Sequence, residues 1–451
     1  MVGRIGVMAA CLSAALLVAA PSPPARAASA LFMGGTFDQL RVPDDTPDLI
    51  SSYISNMGSR YLDPTGLCAG GEPGCSPLAV YTPEEIKGVT GWRDLSFDDS
   101  VQAGVQNLDS CLRAVPCVVT PPPYTTTETT ALTDTVYTVL GYSQSATVAT
   151  VEKAALIAQP PAASVGFVLF ANPNRPNGGI LQRFAGAYLP VLGVTFNGAT
   201  PTDSPQSAPL TTVDITGQYD PISDFPTNPL NLLADLNTLF GFYLVHLRAF
   251  DLGTPELQGQ YGDSAYYLIP AETLPLLAPI AAIPKIGPLL ATILDPPLRV
   301  AIEAGYDRTV NPGSPTRARL LYFPSPITTA VNVMKAIPTG WDNGIAYASG
   351  DPNNRPFRTS VPGPYGVGGP PLDNSRPASA SPDQRQAVPR HLGQSVLHES
   401  VDPLGVGVGV LSGADDSRRQ DPGVQLGGKR QVREHSDRTG VQSPRQRQAR
   451  R

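Results

Sequence analysis

The five residues Gly141-Tyr142-Ser143-Gln144-Ser145 give the strongest chemical signal in the sequence. The residues before them, 135–140, are β-branched or bulky and predict a buried strand. The residues after them, 146–158, carry apolar side chains on one helical face. A strand that turns directly into a helix exposes the serine and places free N–H groups where an oxyanion would form. The segment predicts a nucleophilic serine, although an ordinary strand-to-helix turn can share this short pattern.

A base and an acid follow the serine along the chain. The chain has four histidines, and all except His246 lie beyond residue 390. A histidine base in the body of the protein must therefore be His246, although a lone histidine is often structural. Asp220 stands at the end of a predicted strand, 210–219, where catalytic groups of parallel sheets project. The order Ser143, Asp220, His246 is the nucleophile, acid and base order of α/β hydrolases.

The elements that must position these residues alternate between strand and helix. Apolar runs at 30–33 and 165–170 predict further strands, and the strand, helix, strand succession predicts a mostly parallel sheet flanked by helices. Gly34-Gly35-Thr36 ends the first strand and lets the backbone approach a ligand closely. Gly35 and Thr36 are thus candidates for the second oxyanion donor, after the N–H of Gln144. A plain tight turn is the alternative.

The start of the sequence predicts export. Residues 1–27 combine Arg4, a short apolar run and Ala25-Arg26-Ala27, which is typical of a secretory signal with its cleavage site. An uncleaved N-terminal anchor is the alternative. Four cysteines remain after residue 27, and their close pairing in an exported chain predicts the disulfides Cys68–Cys75 and Cys111–Cys117. Zinc is less favoured, because neither pair has C-x-x-C spacing and no histidine lies near either.

Composition limits the number of domains that the chain can form and the classes of partner that it can bind. The 451 residues, 41% hydrophobic, suffice for one large or two ordinary domains. Residues 1–351 hold 17 basic and 29 acidic side chains, a net charge of −12, which argues against nucleic acid as a partner. Residues 352–451 hold 15 and 9, a net charge of +6, with few aromatics and no periodicity. This composition predicts a disordered basic tail, with peripheral contact to anionic envelope polymers as a further option.

The segment 257–337 is rich in Leu, Ile, Ala and Pro. Its prolines predict a series of short helices, which would form a cap over the carboxyl edge of the sheet and line an acyl-chain pocket. Ordinary packing helices are the commoner alternative. The predicted globular domain, cap included, spans residues 28–351.

Five blocks of sequence resemble the PE-PPE domain family, a mycobacterial serine-hydrolase branch of the α/β-hydrolase fold. They are G-Y-S-Q-S at 141–145, N-P-N-R-P-N-G-G at 172–179, G-V-T-F-N-G-A-T-P-T at 193–202, Q-Y-D-P-I-S-D-F-P at 218–226 and Y-L-V-H at 243–246. The chain is similar to stand-alone exported members, because a signal segment stands where the PE or PPE helical module would be.

The resemblance implies an esterase or lipase acting on acyl esters, or an acyltransferase moving acyl chains between trehalose-type envelope glycolipids. It implies the triad Ser143, Asp220 and His246, with Asp224 as the alternative acid, and no metal or cofactor. The positions of Gly35, Thr36 and Gln144 also resemble the oxyanion hole of the related cutinases. A non-catalytic surface or antigenic module on a hydrolase scaffold is the alternative from another class.

Overall fold

The computed structural model describes residues 28–68, 74–372 and 377–378. The strands in these residues are β1 (Ala28–Phe32), β2 (Ser76–Val80), β3 (Cys117–Thr120), β4 (Glu128–Thr130), β5 (Val136–Tyr142), β6 (Ser164–Phe170), β7 (Tyr188–Leu189), β8 (Val194–Thr195), β9 (Thr212–Gly217), β10 (Glu256–Tyr261), β11 (Ser264–Ile269) and β12 (Pro377–Ala378). The helices are α1 (Pro47–Met57), α2 (Phe97–Leu112), α3 (Gln144–Ala158), α4 (Ile180–Arg183), α5 (Leu232–Leu244), α6 (Ala278–Ala281), α7 (Gly287–Glu303) and α8 (Pro326–Ser349).

Among the described residues, one large sheet contains every strand except the small β7–β8 hairpin. Its order is β12-β10-β11-β9-β6-β5-β1-β2-β3-β4, and the pairs from β11 through to β2 are all parallel. The antiparallel pairs β10–β11, β2–β3 and β3–β4 lie toward its two edges. The structure confirms the predicted mostly parallel sheet flanked by helices.

The strand order reverses at β1, which lies between β2 on one side and β5 on the other. The chain then continues outward through β6, β9 and β11. In open parallel sheets, ligands bind outside the carboxyl ends of the strands at such a reversal. The reversal therefore places the loop after β1 beside the turn after β5.

Each central strand contributes to a core on both faces of the sheet. Leu31 of β1 and Val139 of β5 belong to one core, together with residues of α2 and α3. Their chain neighbours Phe32 and Leu140 belong to the opposite core, together with residues of α1. Successive strand residues point to opposite faces, so a strand that is buried on both faces is apolar throughout. This explains why the apolar runs 30–33 and 135–140 mark the centre of the sheet.

The prediction of cap helices over 257–337 is wrong for the first part of this segment, which forms strands. Strands β10 and β11 form a hairpin in the main sheet, with β11 paired along β9 from Ser264↔Thr212 to Ile269↔Gly217. Tyr266 and Leu268 are buried at alternate positions, as a strand requires. The hairpin satisfies hydrogen-bonding groups that would otherwise form an open edge on β9.

The prolines of this segment interrupt the helices less than predicted. Helix α7 continues through Pro296 and Pro297 of this segment, and α8 continues through Pro338, one residue beyond it. The two helices pack against each other, where Gly340 and Gly344 of α8 leave room for Ile293 of α7. Close packing between neighbouring helices therefore offsets the hydrogen bonds that the prolines cannot make.

The predicted domain end at residue 351 is also too early. Tyr365 is buried, and the Pro364 carbonyl accepts hydrogen bonds from Gln218 Nε2 at 2.9 Å and Arg299 Nη1 at 3.1 Å. Residues 352–372 are thus tied to the body by buried polar groups, which composition does not reveal. The rest of the predicted tail, apart from β12, and the predicted signal at 1–27 lie outside the described residues.

The structure forms the two disulfides proposed from the sequence, Cys68–Cys75 and Cys111–Cys117. In the described part of the chain, no helix is both long and apolar enough to cross a membrane. The same residues contain no cluster of three or more His, Cys, Asp or Glu side chains that could hold a metal ion.

The buried acid Glu152 on α3 leads to a prediction about stability. Burial, followed by the charge of Asp109, raises the pKa of Glu152 to about 8 from 4.5. Between pH 4.5 and about pH 8, the folded protein therefore keeps a proton on Glu152 that the unfolded chain has lost. Unfolding free energy should therefore fall from pH 5 to pH 8, by up to about 1.4 kcal/mol per pH unit from this group. Glu152→Gln should flatten this slope in urea unfolding measured across the range.

The exposed Glu128→Gln exchange is the matched control, and it should leave the slope as it is in the native chain. An unchanged slope in Glu152→Gln would show that the buried carboxyl is not the group responsible.

Candidate active site

The predicted nucleophile, Ser143, lies where β5 ends and α3 begins. Ser143 has φ 55° and ψ −113°, a conformation that L-residues rarely adopt and that marks strained functional positions. A Cβ at Gly141 would lie 2.7 Å from the Ser145 carbonyl oxygen and 2.9 Å from the Ala146 nitrogen. The Ser145 hydroxyl accepts the Tyr142 N–H at 2.9 Å. The small residues on both sides therefore let the helix pack back onto the strand, and the backbone turns sharply at Ser143.

Three side chains from distant parts of the chain form a continuous series of hydrogen bonds. Ser143 Oγ lies 3.0 Å from His246 Nε2, and His246 Nδ1 lies 3.0 Å from each carboxylate oxygen of Asp220. A carboxylate can only accept, so Nδ1 carries the ring proton and the Nε2 lone pair faces the serine hydroxyl. Asp220 and His246 are buried at 1% and 5% exposure, whereas Ser143 is at 9%. The predicted serine, acid and base are thus brought together.

Neighbouring groups hold the aspartate and the imidazole in place. Asp220 Oδ1 accepts the Ile222 N–H at 2.8 Å, and Oδ2 accepts the Ser223 hydroxyl at 2.9 Å. The Tyr142 hydroxyl donates to the carbonyl of His246 at 2.7 Å. The rings of Tyr142 and Phe242 both stack on the imidazole, each with a centroid separation of 5.6 Å. These contacts fix the ring without occupying Nε2.

The second candidate acid, Asp224, has a different partner. Its two oxygens accept from Arg308 Nη1 at 2.6 Å and Nη2 at 3.0 Å, and Oδ2 also accepts the Tyr219 N–H at 2.8 Å. Arg308 in turn donates to Glu303. Asp224 is therefore committed to a buried ion-pair network, and the geometry leaves Asp220 as the carboxylate that contacts the histidine.

The loop after β1 meets the start of α3 at the proposed oxyanion site. The Thr36 hydroxyl donates to Gln144 Oε1 at 2.9 Å, and Gln144 Nε2 donates to the Glu85 carbonyl at 3.0 Å and to Ser100 Oγ at 2.9 Å. Gln144 is the first residue of α3, so its backbone N–H has no intrahelical acceptor. A Cβ at Gly35 would come within 2.8 Å of the Tyr142 ring. The hydrogen bond between their side chains thus holds Thr36 and Gln144 together beside Ser143.

Sequence reasoning missed the supports of this loop. The Glu84 carbonyl accepts the Phe37 N–H at 3.1 Å, and burial raises the pKa of the Glu84 carboxyl well above its usual value. Burial and the nearby Asp45 raise the pKa of Asp38 to about 6. Carboxyl groups with raised pKa values often mark functional sites. Only the nearby glycine pair, Gly34-Gly35, signalled this region in the sequence, because Glu84 and Ser100 reach the site from other parts of the chain.

The fold and the site together define an α/β protein with a Ser-His-Asp arrangement at the carboxyl edge of its sheet. The family model for the PE-PPE domain matches residues 73–307, and the chain belongs to this family. No solved structure matches the chain.

Several curated relatives from Mycobacterium tuberculosis align with the chain. The chain is 37% identical to the protein named Esterase PE16 over 310 residues, which are 66% of this chain and 53% of the relative. It is 38% identical to PE family protein PE3 over 291 residues, covering 62% and 55%. It is 28% identical to SL1278 acyltransferase Chp1 over 300 residues, covering 62% and 65%. The chain thus spans about half the length of the first two relatives.

The close packing at the turn around Ser143 predicts the effect of adding one methyl group at Gly141. Gly141→Ala should force α3 away from β5, because the new Cβ meets backbone atoms that cannot rotate aside. We expect a loss of about 1–3 kcal/mol of unfolding free energy, measured by urea unfolding. Gly363→Ala is the matched control, since a Cβ there meets nothing within 4 Å. Equal stability of the two variants would contradict the close contact described.

Proposed function

We propose that this protein is a secreted serine esterase or lipase that hydrolyses acyl esters through an acyl-enzyme on Ser143. The observation that carries the proposal is the hydrogen-bonded series from Ser143 Oγ through the His246 ring to Asp220. It lies at the carboxyl ends of parallel strands, where open α/β sheets bind their ligands. Serine is a weak nucleophile at neutral pH, and an adjacent base of this kind activates it.

In the first half of the proposed reaction, His246 Nε2 takes the hydroxyl proton as Ser143 Oγ attacks the ester carbonyl carbon. Asp220 stabilises the imidazolium that forms and keeps the ring oriented. The tetrahedral intermediate collapses when the bond to the alkoxy group breaks, and the imidazolium gives its proton to this leaving oxygen. The acyl group is then an ester of Ser143, and the imidazole is neutral again.

The developing oxyanion is the charge that the site must stabilise. The backbone N–H groups of Gln144 and Thr36 are the proposed donors, with Gly35 allowing the loop to approach. The N-terminus of α3 adds the positive end of its dipole. One donor of this kind is typically worth about 3 kcal/mol of barrier. The hydrogen bond between the two side chains holds the donors as a pair before substrate arrives.

In the second half, an oxygen nucleophile releases the acyl group. His246 removes a proton from the incoming hydroxyl, which attacks the acyl carbonyl, and the bond to Ser143 Oγ breaks as the serine regains its proton. With water the product is a free fatty acid. Each step uses side chains and backbone groups of the chain itself.

Two further observations support an exported enzyme with an acyl substrate. The relatives include a protein named an esterase and a protein named an acyltransferase, and both names imply acyl chemistry. The disulfides Cys68–Cys75 and Cys111–Cys117 are typical of oxidising compartments outside the cytosol. We therefore extend the proposal to export by the segment 1–27 and to contact with the cell envelope.

Acyl transfer between trehalose-type envelope glycolipids is the second candidate function. The similarity to SL1278 acyltransferase Chp1 favours it, and the mechanism differs only in the acceptor. A sugar hydroxyl then replaces water in the second half of the reaction. Product analysis with acylated trehalose separates the two, because hydrolysis yields free fatty acid and transfer yields a more heavily acylated sugar.

The direct test of the proposal is the serine itself. Wild-type protein should hydrolyse p-nitrophenyl esters and react with a fluorophosphonate probe at Ser143. Ser143→Ala should abolish both, because Ser143 Oγ carries the acyl group in the proposed mechanism, while thermal unfolding stays close to that of the wild type. Ser145→Ala is the neighbouring control and should retain probe labelling. Wild-type protein that is folded but unlabelled would favour a non-catalytic surface or antigenic module.

Asp220 and Asp224 lie in the same loop, but their substitution by asparagine should affect different properties of the protein. Asp220→Asn should lower kcat by about 10⁴-fold with little change in KM, because the amide no longer stabilises the imidazolium. Asp224→Asn should instead lower unfolding free energy by about 3 kcal/mol, because the buried Arg308 loses a charge partner. Steady-state kinetics and urea unfolding of both variants check the contrast. A large kcat loss confined to Asp224→Asn would reverse the assignment of the acid.

A further inference from the structure

Phe37, the residue after the proposed oxyanion donor Thr36, combines an unusual backbone conformation with an exposed ring. Its φ is 85°, in the left-handed region that bulky L-residues rarely adopt. Its side chain is 63% exposed. The chain therefore holds a large apolar side chain in a strained conformation without burying it.

Burial accounts for the same conformation at other large side chains of the protein. Among the described residues, the other large aliphatic or aromatic residues with a positive φ are Leu40, Tyr124 and Tyr219. These three are at most 7% exposed, so the packing of their side chains offsets the strain of their backbones. Packing gives no such return at Phe37, because most of its ring is in contact with solvent. A strained residue without a structural reason favours a functional role.

Hydrogen bonds on both sides of Phe37 impose this conformation. Its N–H donates to the Glu84 carbonyl at 3.1 Å, and the Asp38 N–H donates to the Gly35 carbonyl at 2.8 Å. The second bond closes a four-residue turn with Phe37 at its third position, where a positive φ normally calls for glycine or asparagine. The turn therefore holds the ring in a fixed place directly after Thr36.

The order of the strands places Phe37 on one side of the serine and the acid on the other. Asp220 follows β9, Ser143 follows β5 and Phe37 follows β1. These strands lie in the order β9-β6-β5-β1 in the sheet. His246 is bonded to Asp220, so the base and the acid belong to the β9 side of Ser143, and Phe37 belongs to the β1 side.

The chemistry of an ester then assigns the two ends of the substrate. The alkoxy oxygen must face His246 Nε2, because this nitrogen gives it a proton as it leaves. The three substituents of a carbonyl carbon spread out in one plane. An alkoxy group that faces the imidazole therefore directs the acyl chain away from it, toward the side of Ser143 on which Phe37 lies.

The chemical character of this position suits a neutral, apolar group. The ring of Phe37 presents only carbon atoms, and the next residue in the chain is the acidic Asp38. An anionic group would meet like charge there. A hydrocarbon chain would instead remove apolar surface of both partners from water. A fatty acyl chain therefore fits this position better than a charged group does.

We propose that Phe37 is a specificity-determining residue whose ring contacts the acyl chain of the bound ester. The ring covers one side of the chain close to the carbonyl group that the oxyanion donors hold. This inference rests on the proposed esterase function and deepens it, because it places an acyl contact in the loop after β1, outside the segment 257–337.

The test varies the length of the acyl chain while the alcohol stays the same. Phe37→Asn removes the ring and supplies a side chain that tolerates a positive φ. For p-nitrophenyl octanoate KM should rise roughly tenfold, because each methylene that loses an apolar contact weakens binding by about fourfold. For p-nitrophenyl butyrate the rise should be about twofold, because few of the lost contacts involve so short a chain. The kcat values should change much less, since ground state and transition state share the contact.

Two further variants separate the ring from the backbone. Phe37→Tyr keeps an aromatic ring and should restore the preference for octanoate. Phe357→Asn is the matched control, because Phe357 is 58% exposed and donates its N–H to Asp342 of α8. It should leave both KM values as they are in the wild type. Urea unfolding should show Phe37→Asn to be at least as stable as the wild type, because the exposed ring adds little to the fold.

Three outcomes would overturn the acyl contact. An unchanged KM for octanoate in Phe37→Asn would show that the ring does not touch the chain. A similar loss of kcat with both esters would show that Phe37 only positions the Thr36 N–H. A KM effect that follows the length of the alcohol, measured with butyrate esters of different alcohols, would assign the ring to the alcohol instead.

Failure of the proposed function would give a different result. Wild-type protein that turns over neither ester would refute the esterase. The contact is then measured without turnover, as binding of p-nitrophenyl octanoate to full-length Ser143→Ala protein by calorimetry. Adding Phe37→Asn to that protein should weaken binding roughly tenfold. Equal binding by the two proteins would overturn the inference about Phe37.

Discussion

Close packing of α3 against the end of β5 is the constraint on which the site depends. Because Gly141 and Ser145 leave room for this contact, the backbone turns at Ser143 with a positive φ and presents the hydroxyl at the sheet edge. The same turn places the first N–H of α3 beside the loop after β1. Nucleophile and oxyanion donor therefore come from one local structure, and the base and acid are brought to it by the order of the strands.

The second half of α3 is also anchored to the sheet, through a buried ion pair. Lys153 is fully buried and donates to Asp263 at 2.7 Å and to the Thr212 hydroxyl at 2.8 Å, next to the amino ends of β9 and β11. Burial lowers the pKa of this lysine, and the charge of Asp263 opposes that effect. Contacts at Gly141 and at Lys153 thus fix α3 to the sheet in two places. Such rigidity is what a site needs if its donors are to be in place before substrate arrives.

The parts of the fold and site that could be predicted from sequence are those with local signals. The buried strands are recognisable from sequence because both of their faces are apolar. The relation of Asp220 to His246 was harder, since Asp224 lies four residues away with the same chemistry. What distinguishes the two carboxylates is Arg308, which is distant in sequence and, of these two, contacts Asp224 and not Asp220. An ion pair between residues so far apart leaves no periodic pattern in the sequence.

The errors at 257–269 and 352–372 have a common physical cause. In both segments the decisive partners are non-local: β9 aligns β11, and Arg299 with Gln218 binds the carbonyl of Pro364. Composition describes how apolar a segment is, but not which open edge or buried donor it will satisfy. Composition therefore predicts cap helices for a Leu- and Pro-rich run and a free tail for an aromatic-poor run.

The position of β1 in the sheet shows that the folding unit extends beyond the region that the family model matches. The matched region, residues 73–307, excludes β1, although this strand lies between β2 and β5 and precedes Thr36. A fragment cut to the matched region would have a gap in the middle of its sheet, with unpaired N–H and C=O groups along both neighbouring strands. It would be prone to take a strand from another molecule, so the physical domain must be traced from Ala28.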